Sequence, residues 1–349
     1  MSVIRLAPSQ VTVECQEGDT VLTALERAGF ALPNNCRAGA CGECKVRVLS
    51  GTFDQGFVLD MALSAEERHA GFGLMCMAKP LSQEMTIEWG STEARPRLFP
   101  PAEDMPFIVV ERIERTPVIV ELRLRPIGNP MRFWPGQYVT LRKPGATRPR
   151  AYSIASAPRP DGELTLQVTR QEPGETSGWL HREVRVGDPV QVSGPYGTFI
   201  GDPSVQTPVL CLAAGSGLAP ILSLTEAALR RGYDAPVVLM FSARTEADLY
   251  CRGLIEFWRA RHRNFSFVPT LTREHRDGTR HGRIPDILPD LYPDLSAFSV
   301  FVAGSPAFVD SCVAVAKQLG TQPARIHTEG FVPLPFEGAA GDSSRPVSR

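Results

Sequence analysis

The chain lacks a long uninterrupted apolar run, carries almost no net charge, and holds only one close C-x2-C cysteine pair. Each of these absences excludes something. The most apolar stretch, Val209 to Leu224, is broken by Gly215, Gly217 and Pro220 and is too short to span a bilayer. The first residues, Met1 to Gln10, contain no secretory h-region and pass into strand-like alternation. A formal net charge of −1 gives no reason to expect nucleic acid or an anionic membrane surface as a partner. The dehydrogenase fingerprint G-x-G-x-x-G is missing too, which argues against an ordinary Rossmann dehydrogenase. What remains is a globular protein, expected in the cytoplasm, whose 349 residues and 43% apolar content suffice for two or three packed domains.

Cysteine is present, but unevenly. Of eight, Cys15, Cys211, Cys251 and Cys312 stand singly in apolar segments, where a buried structural thiol is the better reading. The other four crowd into a metal-like pattern, and the whole distribution points to a reducing compartment.

The periodicity divides the chain into three units. Residues 1–92 read as a short strand pair, a helix capped by Asp19 or Thr20, a Gly- and Cys-rich loop, a strand at Lys45 to Leu49, a capping box at Ser64 and Glu67, and a last strand at Met85 to Trp89. Residues 93–105, with Pro96, Pro100 and Pro101, read as a linker. Short alternating runs across 106–203 predict an antiparallel barrel. Across 204–337, continuous apolar strands alternate with helices, as in a parallel α/β sheet buried on both faces. A closing helix is signalled by Ser305, Pro306 and Gly320, and the small polar tail 338–349 is expected to be disordered.

Cys36, Cys41 and Cys44 have the spacing C-x4-C-x2-C, with Cys76 further on, which is the plant-type 2Fe-2S arrangement. Small residues between them, Ala38, Gly39, Ala40 and Gly42, leave backbone amides free to approach cluster sulfurs. The alternatives are a disulfide pair or tetrahedral zinc, although zinc sites usually pair two C-x2-C elements. The string LPNNCRAGACGECKVRV followed by LMCM resembles the ferredoxin domain of bacterial reductases serving aromatic-ring dioxygenases and monooxygenases. Asn34 and Asn35 depart from that pattern by replacing an aromatic-Ser pair before the first ligand.

Arg150, Tyr152 and Ser153 form R-x-Y-S at the start of a strand-like run. A flavin dinucleotide needs such a cation, flat ring and small hydroxyl, although an ordinary strand start reads equally well. Gly174, Thr176 and Ser177 precede a short helix whose N-terminus suits a phosphate. Together the two elements resemble the ferredoxin-NADP reductase superfamily. That resemblance implies FAD contacts at Arg150, Tyr152, Ser153, Gly174, Thr176 and Ser177, with Val168 to Arg170 beside the flavin phosphates. It implies FAD over FMN because the FMN-bearing sister group has its ferredoxin at the C-terminus.

Gly215, Ser216, Gly217 and Pro220 lie in AAGSGLAP between a strand and a helix. Backbone amides there can approach a pyrophosphate at the helix N-terminus. The segment resembles GGGTGLAP of the same reductases, and the stretch from Phe241 through Arg244 and Asp248 resembles their second nucleotide segment. No compact run of Arg and Lys follows to hold a 2′-phosphate, and Glu246 and Asp248 disfavour one, so NADH is expected. Gly304 lies in A-G-S-P, resembling C-G-x-P beside the nicotinamide, with Ala303 replacing Cys. Phe331 reads either as an aromatic close to the flavin or as a core residue.

The resemblance implies a β-grasp ferredoxin, a Greek-key FAD barrel and a parallel-sheet NADH domain. It implies electron flow from NADH through FAD and the cluster to a Rieske-type aromatic-ring oxygenase, directly or through a separate ferredoxin. A di-iron monooxygenase or a deoxysugar dehydratase is the alternative acceptor. A zinc-bound, nucleotide-sensing module is the non-enzymatic alternative.

Overall fold

The computed structural model describes residues 1–91, 97–202 and 205–332; the tail expected at 338–349 lies outside them. The first unit is a five-stranded sheet in the order Thr12–Cys15, Ser2–Ala7, Glu84–Glu88, Lys45–Ser50, Phe72–Leu74. Ser2–Ala7 pairs in parallel with Glu84–Glu88, Ile4 opposite Met85, while its other neighbour is antiparallel. Helix Val21–Arg27 is capped by Thr20, whose hydroxyl accepts from Thr23 N. Its Leu22 and Leu25 join Ile4, Leu6, Met75, Met85 and Ile87 in one core. This mixed sheet grasping a helix is the expected β-grasp. The box at Ser64 and Glu67 forms reciprocally and starts Ala65–His69.

The second unit is six antiparallel strands in the order Arg150–Ser153, Tyr138–Leu141, Pro189–Tyr196, Ala102–Thr116, Ile119–Pro126, Leu164–Thr169. The ends meet through a bridge between Ile154 and Leu166, and that closure makes the barrel. Two expectations are corrected. The strand expected at Phe107 starts at Ala102, inside the predicted linker, because pairing with Pro189–Tyr196 reaches back to Ala102. The linker is also tied down, with Arg97 N and Leu98 N donating to Gly29 O at 2.7 and 3.0 Å. Phe99 stacks on Trp134.

The third unit is a parallel sheet in the order Arg280–His281, Phe265–Leu271, Val237–Ala243, Val209–Ala214, Ser299–Gly304, Ile326–Gly330. The first strand in sequence sits centrally and the order reverses beside it, so a crevice opens at the carboxyl ends of Val209–Ala214 and Ser299–Gly304. Ser305 caps helix Pro306–Gln318 as its residue type predicts. The last strand, Ile326–Gly330, carried no clear alternation in sequence and was missing from the expected elements. Parallel pairing of Val300 to Gly304 with Ile326 to Gly330 forms it.

Candidate functional site

The cysteine loop is shaped by its backbone. Gly39 has φ +69°, and a Cβ there would lie 2.9 Å from both Phe57 O and Val58 Cγ1, so only glycine fits. Ala38 N and Ala40 N donate to Cys36 Sγ at 3.4 and 3.3 Å, and Cys76 N donates to Cys44 Sγ at 3.4 Å. The four thiols fall into two pairs. Cys36 is drawn down to about 5 by the hydrogen bond from Cys41 and the loop amides, and Cys44 is lowered by Cys76. Cys41 and Cys76 are raised in return. Among the described residues no three His, Cys, Asp or Glu side chains gather around a point suited to one ion. Two thiol pairs ringed by amides fit a two-iron cluster, two thiolates to each iron, better than a lone tetrahedral zinc.

Around the R-x-Y-S strand, the barrel is bridged at Ile154 and Leu166, with Ala155 N donating to Thr165 O. No ladder continues from there toward Arg150 and Thr169 among the described residues. In that open seam Arg150 Nη1 and Thr169 Oγ1 are buried without a protein partner. Buried donors rarely stay unpaired, so an orphaned guanidinium atom beside the tyrosine fits an anionic, ring-bearing ligand such as FAD. Burial holds the Tyr152 hydroxyl well above its ordinary range, so it stays protonated. Gly174 caps helix Glu175–Arg182, and Thr176 and Ser177 are buried in its first turn. Ser177 Oγ is occupied by Gln171 N at 3.1 Å, and Val168 O by His181 Nε2 at 2.8 Å. These two positions therefore shape the seam from within the protein.

At the nucleotide crevice, Gly215 to Gly217 form a single tight turn and Leu218–Arg230 follows as a helix. A Cβ on Gly217 would stand 2.1 Å from Ala303 O, so the loop approaches the next strand as closely as backbone allows. Pro220 is buried in the helix's first turn. The Tyr250 hydroxyl is 3.0 Å from Gly215 O and 3.1 Å from Gln167 Oε1, tying this loop to the barrel. Asp248 is turned inward: its Oδ2 accepts from Thr245 N and Oγ1 at 3.2 and 2.9 Å, and Arg244 is its 3.6 Å ion-pair partner. The fold also assembles what the linear sequence does not show. Arg273 N donates to Arg244 O, and Arg276 lies 3.4 Å from Glu246 and 3.6 Å from Glu274. Arginines thus gather at this strand end, with carboxylates interleaved.

One buried acid beside the candidate site escaped the sequence reading. Glu329 is buried and accepts from Ser153 Oγ at 3.1 Å, joining the R-x-Y-S strand to the last strand of the nucleotide sheet. Burial pushes its carboxyl up to about 8. Its only sequence signal was an acid inside the apolar-flanked IHTEGF. Gly304 and Phe331 meet through Phe331 N donating to Gly304 O at 2.8 Å.

Known families match the three units in the order of the chain. The 2Fe-2S iron-sulfur cluster binding domain matches residues 4–81, the oxidoreductase FAD-binding domain 105–200, and the oxidoreductase NAD-binding domain 211–314. The reductase subunit of an aromatic O-demethylase from Amycolatopsis sp. is 37% identical over 92% of this chain and 96% of its own. The reductase component of phenol 2-monooxygenase from Pseudomonas sp. is 33% identical over 98% of this chain and 97% of its own. A crystal structure of an Amycolatopsis cytochrome P450 reductase superimposes with a TM-score of 0.87 at 33% identity, covering 95% and 99% of the two chains. The fold and site define an oxidoreductase that uses FAD, NADH and a 2Fe-2S cluster. The chain belongs to the family of reductase components that serve aromatic oxygenase systems. Among the described residues no helix is long and apolar enough to cross a membrane.

Proposed function

We propose that this reductase takes hydride from NADH and hands electrons singly, through the cluster held by Cys36, Cys41, Cys44 and Cys76, to the terminal oxygenase of an aromatic-oxidising system. Bound FAD supplies the chemistry that joins the two halves, accepting a pair of electrons and releasing them one at a time. The protein's work is placement. Arg150, Tyr152, Ser153, Gly174 and Thr176 hold and orient the flavin, with Val168 and Ser177 shaping its seam. Gly215, Ser216, Gly217, Pro220 and Gly304 cradle the nicotinamide nucleotide, with Arg244, Asp248 and Phe331 at its edges. Ala303 offers no thiol, and none is needed for hydride transfer.

The supporting observation is contact between units. The cysteine loop meets the barrel where the Tyr138 hydroxyl donates to Asn34 Oδ1 at 3.1 Å, and the flavin strand meets the nucleotide sheet at Ser153 and Glu329. Transfer to the oxygenase is direct or runs through a separate ferredoxin, the second route being supported by relatives named as ferredoxin reductase components of naphthalene dioxygenase systems. A Rieske-type ring oxygenase is the first acceptor proposed. A monooxygenase is the second, favoured by the phenol 2-monooxygenase relative. The eight thiols, none in a disulfide, suit a reducing cytoplasm.

Anaerobic NADH titration of the purified protein tests the relay. Flavin bands and a ferredoxin-like shoulder should both bleach; a colourless, zinc-containing protein overturns the proposal. Mixing the reduced protein with purified oxygenases of either type, with and without an added ferredoxin, identifies the acceptor and the route by which it is reduced.

A further inference from the structure

Three successive residues at the end of strand Ile326–Gly330 touch all three units of the chain. Glu329 Oε1 accepts from Ser153 Oγ in the barrel. The Gly330 carbonyl accepts from Asn35 Nδ2 in the cysteine loop. Phe331 N donates to Gly304 O in the nucleotide unit. Asn35 immediately precedes the first cluster ligand, yet its side chain turns away from the thiols toward this strand end. Beside it, buried Asn34 accepts from Tyr138, and a polar cavity of about 200 Å³ lies between, lined by Asn34, Asn35, Tyr138, Thr198, His327 and Glu329 among others.

We propose that Asn35 is a positioning residue: its amide latches the cysteine loop to the strand end that carries Glu329 and Phe331. Transfer from flavin to cluster then depends on Asn35, while hydride transfer does not. The inference rests on the relay proposed above. The physical case is that a one-electron step between two held groups depends on their separation. The cysteine loop, by contrast, keeps its shape through its own amide-to-sulfur bonds and the packing of Gly39. A side-chain amide is the right device, since it donates to a carbonyl without adding charge beside thiolates. The aromatic-Ser pair that Asn34 and Asn35 replace has no such amide. One such hydrogen bond is worth about a fivefold shift in the ratio of docked to undocked loop.

The test is anaerobic stopped-flow reduction of the holoprotein by NADH, following flavin bleaching and cluster reduction separately. Asn35→Ala should leave flavin bleaching unchanged and slow cluster reduction by up to about fivefold, the limit reached when the undocked loop predominates. Iron and sulfide content and cluster potential should stay at wild-type values. Asn35→Gln, which keeps a donor, should recover part of the rate; Asn35→Asp, which sets a carboxylate against a carbonyl, should be slower than Ala. Tyr138→Phe removes the neighbouring bond and should slow the same step. Wild-type cluster reduction in Asn35→Ala overturns the latch, as does slow reduction accompanied by lost iron or a shifted potential, which assigns Asn35 to cluster support. If NADH bleaches the flavin but never the cluster of the wild-type protein, the relay itself fails.

Discussion

The barrel is joined to its two neighbours by seams of different construction. Against the nucleotide unit it presents a set of buried bonds, one of them to a carboxylate. Ser223 Oγ donates to Ser156 O at 2.8 Å, and Glu226 accepts from Ala157 N at 2.7 Å while pairing with Arg230 at 2.6 Å. Tyr250 ties the glycine loop to Gln167 nearby. Against the ferredoxin unit the direct bonds are sparser: Asn34 to Tyr138 and the Arg37 guanidinium 4.2 Å above the Tyr196 ring, with Phe99 of the connecting segment stacked on Trp134. The contrast follows the chemistry. Hydride transfer demands a closely fixed geometry and is given a rigid seat. Electron transfer tolerates a lighter joint, and the outer unit must also present its cluster to another protein.

The largest break comes downstream of the light seam. Cys41→Ser removes a cluster ligand and should abolish cluster-dependent cytochrome reduction while NADH still bleaches the flavin; loss of both would show that the order of carriers is wrong. The next strikes the rigid seat. Glu226→Ala leaves the buried Ala157 N without its acceptor and should cost about 2 kcal/mol in urea unfolding of the holoprotein. An equal loss from Asn34→Ala would erase the contrast between the seams.

Glu329 sharpens the comparison through pH. Its folded value of about 8 lies above the ordinary 4.5 because burial disfavours the anion. Between those values the native state holds a proton that the unfolded chain has released, so stability falls as pH rises through this window. The slope is at most about 1.4 kcal/mol per pH unit. Glu329→Gln should flatten that part of the stability profile, and an unchanged slope would place the titration elsewhere. The smallest effect belongs to Arg244, whose side chain is 58% exposed and 3.6 Å from Asp248. Arg244→Ala should shift stability by less than about 0.5 kcal/mol. A large rise in KM for NADH on that substitution would instead make it a principal nucleotide contact.

Local devices were readable from the sequence. The Ser64 box and the Ser305 cap depend on residues a few positions apart, and both form as their residue types predict. The linker was misread because prolines and charges resemble a free segment, and only the partner strand Pro189–Tyr196 shows that the extended barrel strand begins at Ala102. Asp248 is proposed at the edge of the nucleotide site, and only the fold shows that its Oδ2 is taken up by the turn itself.

By itself, the sequence determined three units in order and pointed to four thiols and two segments proposed here as cluster ligands and dinucleotide sites, because spacing along a chain fixes short-range chemistry. Tertiary structure alone decided that Glu329 meets Ser153 and that Asn35 meets Gly330, residues 176 and 295 positions apart. No local pattern encodes such pairs. They exist because the last strand adds to a parallel sheet whose edge faces both the flavin barrel and the cysteine loop.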